Sequence, residues 1–404
     1  MSDLELLFLV IAVLYGWECA CWLRVGSVGF LTWFGRHWRM AFPGTLLGNQ
    51  QGGFIFAPPL PPLGSLLVGR PIPFSASVRG VAPAFDAGVS PSPTSAFTRW
   101  EDIRKIEVLG KKVKVNGRPF LSAASPPGAF EVAGQLQVLQ KLPPQKRRDA
   151  IDDLLRASLD SKFIQERWDD FSLRSAPLKL LTNAVFVHLF IFAPLLIWRA
   201  GLQRCWLGLL VGLLALTTST AISFRRVHKT FYPEAEDDRF THFLLILLSP
   251  ATTSRARDTL TRPLFERFHP LAIAKVFCAE NSFRGFARRA LLDLRHPGRA
   301  TAAVNDPTAQ SAEQEARDAW LRALEKFLRK SGLDEKELTR PPAPNDESCR
   351  SYCPRCETQF TTLEGVCADC GGVALRVFER TAPNAVRPEA AGKKGGNDKP
   401  RRSR

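Results

Sequence analysis

Two apolar runs joined by a short polar loop constrain this chain more than any other feature. Leu180–Trp198 (LLTNAVFVHLFIFAPLLIW) and Trp206–Phe224 (WLGLLVGLLALTTSTAISF) carry no formal charge. At about 1.5 Å per residue, a helix of roughly 19 residues crosses about 30 Å of hydrocarbon. Lys179 and Arg199 bracket the first run, Arg204 precedes the second, and Arg225, Arg226 and Lys229 follow it. Trp198 and Trp206 fall where interfacial aromatics belong. The pattern predicts a transmembrane hairpin at 179–225, with Pro194 kinking its first helix and His188 bonded to the neighbouring one.

A third apolar stretch, Leu4–Leu23, is long enough to span, although Glu5 and Glu18 interrupt it. Its acidic start and lack of a small-residue cleavage site argue for a membrane anchor rather than a signal peptide. Arg24, Arg36 and Arg39 follow it and Asp3 precedes it, which places its C-terminal side in the cytoplasm. Residues 24–179 and everything after Arg225 are then cytoplasmic, and the Arg199–Cys205 loop lies outside. This predicts a multi-pass cell-membrane protein with most of its soluble mass inside. The net charge of +16 suits an anionic leaflet or a nucleic acid, and a chain containing spans favours the leaflet. The excess of arginine over lysine, with abundant Ala, Gly and Pro, is that of a GC-rich bacterial genome.

The soluble segments divide by composition. From 25 to 97, FLTWF (30–34), HWRMAF (37–42), GGFIFA (52–57), GSLLV (64–68) and PFSASV (73–78) read as short strands broken by turns. PPLPPLG (58–64) reads as a stiff loop. A meander follows at 103–122, where Val113 and Val115 alternate with Lys112 and Lys114, and Asn116-Gly117 predicts a type I′ turn. Ser125-Pro126 then opens a helix with Ala129, Val132, Ala133, Leu136 and Leu139 on one face. A second helix, after Pro143-Pro144, carries Ile151, Leu154, Leu155 and Leu159 on its stripe. Lys111, Lys112, Lys114 and Arg118 on the hairpin, and Lys146, Arg147 and Arg148 opening this helix, form a basic face suited to anionic lipid or to solvent. Strands closed by a helix over 28–142 resemble the pleckstrin-homology-like domains of bacteria.

Beyond the hairpin, FTHFLLILL (240–248) is too short to span and predicts a buried or interfacial helix. Helices are expected at 251–261, 271–278 and 282–294, the last bearing Arg284, Arg288, Arg289 and Arg295 on a membrane-facing or solvated side. After a polar linker, Ser311 is expected to cap a helix striped by Trp320, Leu321, Leu324, Phe327 and Leu328, stopped by Gly332.

The chemistry is at the C-terminus. Cys353-Pro-Arg-Cys356 and Cys367-Ala-Asp-Cys370 are two CxxC pairs, each able to present two thiolates from one tight turn. Together they resemble a zinc ribbon, which implies structural Zn²⁺ held by Cys353, Cys356, Cys367 and Cys370. A rubredoxin-like iron centre uses similar turns. Four protein ligands leave no open coordination position, so catalysis at the ion is not expected. Cys349 lies outside the paired spacing. No nucleophile elbow, P-loop or HExxH pattern is present, and His242, His269 and His296 stand apart from one another.

The sequence therefore predicts a multi-domain α+β membrane protein. Its parts are an anchor at 1–24, a β-rich cytoplasmic domain at 25–142, a helical segment at 143–178, the transmembrane hairpin at 179–225 and a helical region at 226–296. A linker with an amphipathic helix at 297–348, a zinc ribbon at 349–379 and a basic tail at 380–404 complete it. The expected role is a non-enzymatic scaffold or regulator that binds membrane lipid and a protein partner. The alternative is a membrane-anchored nucleic-acid-binding protein using the ribbon and the basic tail.

Overall fold

The computed structural model describes residues 74–83, 97–123, 125–297 and 307–378, Leu9, and the backbone of five short strands before residue 70. It forms two compact units, residues 1–340 and 341–404.

The first unit opens with strands β1 (Ala20–Leu23), β2 (Gly26–Thr32), β3 (Gly35–Ala41), β4 (Gly53–Phe56) and β5 (Ser65–Gly69). β1 pairs antiparallel with β4, and β2 lies between β3 and β5. Residues 20–23 are thus extended, which corrects the expectation of a helix running to Leu23. The remainder of that anchor, apart from Leu9, falls outside the described residues, as does PPLPPLG.

Two further three-stranded antiparallel sheets follow. One comprises β6 (Phe74–Ala76), β7 (Gly80–Pro83) and β8 (Thr98–Arg99); the other is the expected meander β9 (Ile106–Leu109), β10 (Lys112–Val115) and β11 (Arg118–Ser122). Asn116 and Gly117 have φ of 53° and 78°, as a type I′ turn demands. The Asn116 side chain also accepts the Arg104 and Lys105 N–H groups, at 2.7 and 3.1 Å. The β10–β11 register slips between Val113↔Leu121 and Lys114↔Pro119, a bulge next to a proline that has no N–H for the ladder.

Helix α1 (Pro126–Lys141) starts where the sequence places it, with the Ser125 hydroxyl accepting the Gly128 N–H at 3.1 Å. Its five expected core residues are all buried, with Val113, Val115, Trp100 and Phe74, and with Ile151 and Leu155 from α2 (Pro144–Ser158).

A second core is helical. It draws on α3 (Ser161–Arg174), α4 (Ala176–Ala200), α5 (Leu202–Phe231), α6 (Glu236–Leu248), α8 (Ala256–Leu264), α9 (Pro270–Phe277), α10 (Glu280–Arg295), α11 (Pro307–Lys330) and α12 (Glu335–Leu338), with the short α7 (Pro250–Ser254) between α6 and α8. Phenylalanines dominate it: Phe171, Phe265 and Phe277 surround Trp168 with ring centroids 5.8–6.1 Å away. Helix α11 serves both cores, with Ala319 in the first and Leu324 and Leu328 in the second. It begins at Pro307 rather than at the expected Ser311 cap, and Gly332 follows its end with φ of 79°.

Three further expectations are corrected. The helix predicted over 251–261 is two, because Arg255 leaves helical geometry at φ −108°, ψ 7°. The arginines of α10 do not form a free basic face. Arg284 bonds Glu337 at 2.7 Å, Arg288 donates to the Arg340 carbonyl at 2.7 Å, and Arg295 meets Glu325 at 3.0 Å as well as Glu335. Arg147 is buried, unlike its exposed neighbours Lys146 and Arg148.

Helices α4 and α5 form an antiparallel pair joined at Gly201 (φ 79°). Both are long and apolar enough to cross a membrane. At His188–Phe192 α4 widens into a π-turn, with the Ala193 N–H bonded to the His188 carbonyl. Pro194 explains this: it has no N–H for the Phe190 carbonyl, and a wide turn absorbs the mismatch. Across the pair, His188 Nε2 lies 3.1 Å from the Leu209 carbonyl, the histidine contact the sequence predicts.

Candidate metal centre

The second unit is a small two-sheet fold around four thiols. β12 (Ser351–Tyr352) lies between β13 (Gln359–Phe360) and β16 (Arg376–Val377), while β14 (Val366–Cys367) pairs with β15 (Val373–Ala374). Tyr352 and Phe378 stack at 5.0 Å. The apolar material is scant, with Val373, Phe360 and Leu375 packing around the cysteines themselves.

Each CxxC pair sits on a reversed turn. The Cys353 carbonyl accepts the Glu357 N–H at 2.9 Å, and the Cys353 N–H donates to the Thr358 carbonyl at 2.9 Å. In the second turn the Gly371 N–H reaches the Ala368 carbonyl at 3.0 Å and the Gly372 N–H the Cys367 carbonyl at 2.9 Å. The residue after each second cysteine has positive φ, 63° at Glu357 and 69° at Gly371. Glycine adopts that conformation freely, whereas a residue with a Cβ is strained in it.

The four Sγ atoms of Cys353, Cys356, Cys367 and Cys370 lie within 4.8 Å of one another, three of the cysteines buried and Cys356 half-buried. Cys356 Sγ and Cys367 Sγ are 3.7 Å apart. A tetrahedron of thiolates about 2.3 Å from a central ion has edges of about 3.8 Å, so the donor set fits one tetrahedral metal ion. Among the described residues this is the one group of three or more His, Cys, Asp or Glu side chains placed to hold a metal.

The thiols are not equivalent. Burial works against ionising Cys356, but hydrogen bonds from the Thr358 hydroxyl and N–H and from neighbouring thiols outweigh it and bring it down to about 7. Burial and the adjacent sulfurs push Cys367 and Cys370 up. Four thiolates in so small a volume repel one another, and a divalent cation relieves that repulsion. Sequence spacing identifies the ligands but not Thr358, whose Oγ1 is 3.1 Å from Cys356 Sγ, nor Arg355, which reaches the Cys370 carbonyl at 3.4 Å. Both lie within two residues of Cys356, the one local signal available. Cys349 stays outside the set, and its N–H is taken by the Asp346 side chain at 3.2 Å.

No protein-family model matches this chain, and neither does any curated protein or solved structure. The pleckstrin-homology-like resemblance of 28–142 therefore has no support beyond the strand-then-helix order.

Among the described residues, the others singled out from sequence form no further group placed to hold a metal. His242 faces the Phe224 ring at 6.1 Å, and His269 accepts the Leu271 N–H at 3.2 Å as the cap of α9. Glu18 falls outside the described residues. On the β10–β11 hairpin, Lys111, Lys112 and Arg118 are exposed.

Proposed function

We propose that this chain is an integral membrane protein of the cell membrane, anchored by the α4–α5 hairpin. It acts by binding, as a scaffold or regulator for a protein partner and anionic lipid, and carries a C-terminal ribbon held by structural Zn²⁺. The carrying observation is that α4 and α5 are apolar yet uncovered: 17% and 22% of their most apolar windows are buried. More than a dozen large apolar side chains on them are exposed, Leu180 at 71% and Trp198 at 68% among them. Leaving each half in water forgoes about 1 kcal/mol, and the sum rivals the 5–15 kcal/mol that hold a typical domain together. Lipid removes that cost.

The basic residues Arg225, Arg226 and Lys229 support a cytoplasmic position for the chain beyond α5, and the free cysteines among the described residues suit a reducing compartment. Zinc is favoured over iron because four-thiolate structural sites are its commonest setting. A binding role agrees with a donor set that leaves the ion no open position. The net charge of +16 supports a second reading, binding of nucleic acid.

The test places a short epitope at Gly201 or after Arg340 in full-length chains. Membranes washed at alkaline pH retain both proteins, and intact cells expose only the first epitope to antibody. Extraction by the wash, or an exposed second epitope, overturns the reading. Nucleic-acid binding with a steep salt dependence would favour the second reading.

A further inference from the structure

We propose that α6 is a third membrane-embedded element, a re-entrant helix whose outer face and C-terminal tip lie among lipid acyl chains beside α5 without crossing. The inference rests on the membrane reading of α4 and α5 and adds to it an element too short to span: its 13 residues rise about 20 Å against a hydrocarbon core of about 30 Å.

Helix α5 ends at Phe231 and α6 begins at Glu236, across a turn closed by the Ala235 N–H on the Tyr232 carbonyl. The Tyr232 hydroxyl pins this turn to the Leu260 carbonyl at 2.7 Å. His242 then meets Phe224, so steps forward from the turn along α6 match steps back along α5. The helices are antiparallel, and α6 climbs back toward the apolar run 206–224. From His242 to Leu248 it rises about 9 Å more, which brings Leu248 level with the Thr217–Ala221 turn of α5. Thr217, Thr220 and Ala221 are buried there, small enough to let neighbouring helices close on them.

On the inner face of α6, Ile246 is fully buried and Phe243 packs against the helical core. Phe240, Leu244, Leu245 and Leu248 share the opposite face and are exposed, Leu248 by 77%. The charges of α6 gather in its first turn, Glu236 to Arg239, and none occurs from Phe240 to Ser254. A helix apolar on both faces needs an apolar medium on the side its own fold leaves open. Leu207, Leu210, Val211 and Leu214, further along α5, are exposed as well.

The bend after α6 supplies independent support. A chain reversal at hydrocarbon depth is tolerated only when its backbone groups are satisfied internally. The Ser249 N–H donates to the Leu245 carbonyl at 2.9 Å, and the Thr253 N–H to the Ser249 carbonyl at 2.9 Å. The Ser249 hydroxyl accepts the Thr252 N–H at 3.3 Å. Thr253 Oγ1 donates back to the Ile246 and Ser249 carbonyls, and Pro250 has no N–H to leave unpaired.

The experiment uses the full chain in vesicles containing a lipid with a photoactivatable diazirine on its acyl chain, placed either near the glycerol or at the chain end. Labelled residues are mapped by mass spectrometry. With the shallow probe, labelling at Leu244 and Leu245 should be of the same order as at Leu207; with the deep probe it should concentrate at Leu248 on α6 and at Val211 and Leu214 on α5. Labelling of α5 without α6 by either probe overturns the inference and leaves the hairpin reading standing. Labelling of neither overturns the hairpin reading itself. Crosslinks from α6 to a second copy of the chain, in place of lipid, would also overturn the inference.

Discussion

Replacing Arg147 with methionine tests whether a buried cation holds the β-rich half together. Its guanidinium, in a residue only 6% exposed, makes three bonds to carbonyls and none to a carboxylate. Nε donates to Leu139 at 2.9 Å and Nη2 to Leu142 at 2.7 Å, closing the C-terminal end of α1, while Nη1 reaches Val78 at 2.6 Å in the β6–β7 turn. The group also lies 5.1 Å over the Trp100 ring. Each hydrogen bond from a charged donor is worth about 1.5–3 kcal/mol net, and the ring contact about 1 kcal/mol. Against this stands the desolvation of an unpaired charge, which lowers the arginine pKa and offsets part of the sum. The balance for Arg147→Met is a loss of about 3 to 4 kcal/mol, because three carbonyls lose their donor. Hydrogen exchange of the full chain in nanodiscs, read by mass spectrometry, should show peptides from 74–158 exchanging about two to three orders of magnitude faster. Peptides from α8 and α9 should change far less, and Arg147→Lys should fall between. Exchange within about threefold of wild type would refute the reasoning, since surface substitutions cost about that little.

Other consequences are equally concrete. Glu357→Gly removes a Cβ from a positive-φ position and should raise the resistance of the second unit to chelation, whereas Gly371→Ala should lower it, each by about 1 kcal/mol; midpoints in a chelator titration decide. A Cβ at Gly212 would stand 3.1 Å from His188 Cε1, so Gly212→Leu should separate α4 from α5 and cost about 1–2 kcal/mol, read as reduced crosslinking of cysteine pairs across the hairpin. Burial lowers His269 from 6.5 to about 4. Between those values the unfolded chain binds a proton the folded one does not, so stability should fall as pH drops from about 6.5 toward 4. His269→Asn keeps a capping oxygen without the titration and should flatten that part of the pH profile; an unchanged profile counts against the assignment.

The features legible in the sequence were those fixed locally. Asn116-Gly117 announced its turn because few residues tolerate positive φ twice, and the α1 stripe followed from helical period alone. The four cysteines were legible because a CxxC turn sets its own ligand geometry. The features that escaped depended on distant partners. Arg147 looks like Lys146 and Arg148 in sequence, and two of the partners that distinguish it, the Val78 carbonyl and the Trp100 ring, lie 69 and 47 residues away. The α10 arginines read as a basic face because Glu337 and Glu325, which pair with them, lie 53 and 30 residues further on. The dual role of α11 was hidden for the same reason: one stripe cannot announce two cores.

The four-cysteine centre is tested most directly by X-ray absorption at the zinc edge on the full chain purified without added metal. The expected result is one zinc per chain with four sulfur neighbours at about 2.3 Å, and loss of the metal in a Cys353→Ser, Cys370→Ser double variant. Iron in its place would contradict the assignment of the ion. A shell containing oxygen or nitrogen donors, or no bound metal, would contradict the four-cysteine site itself.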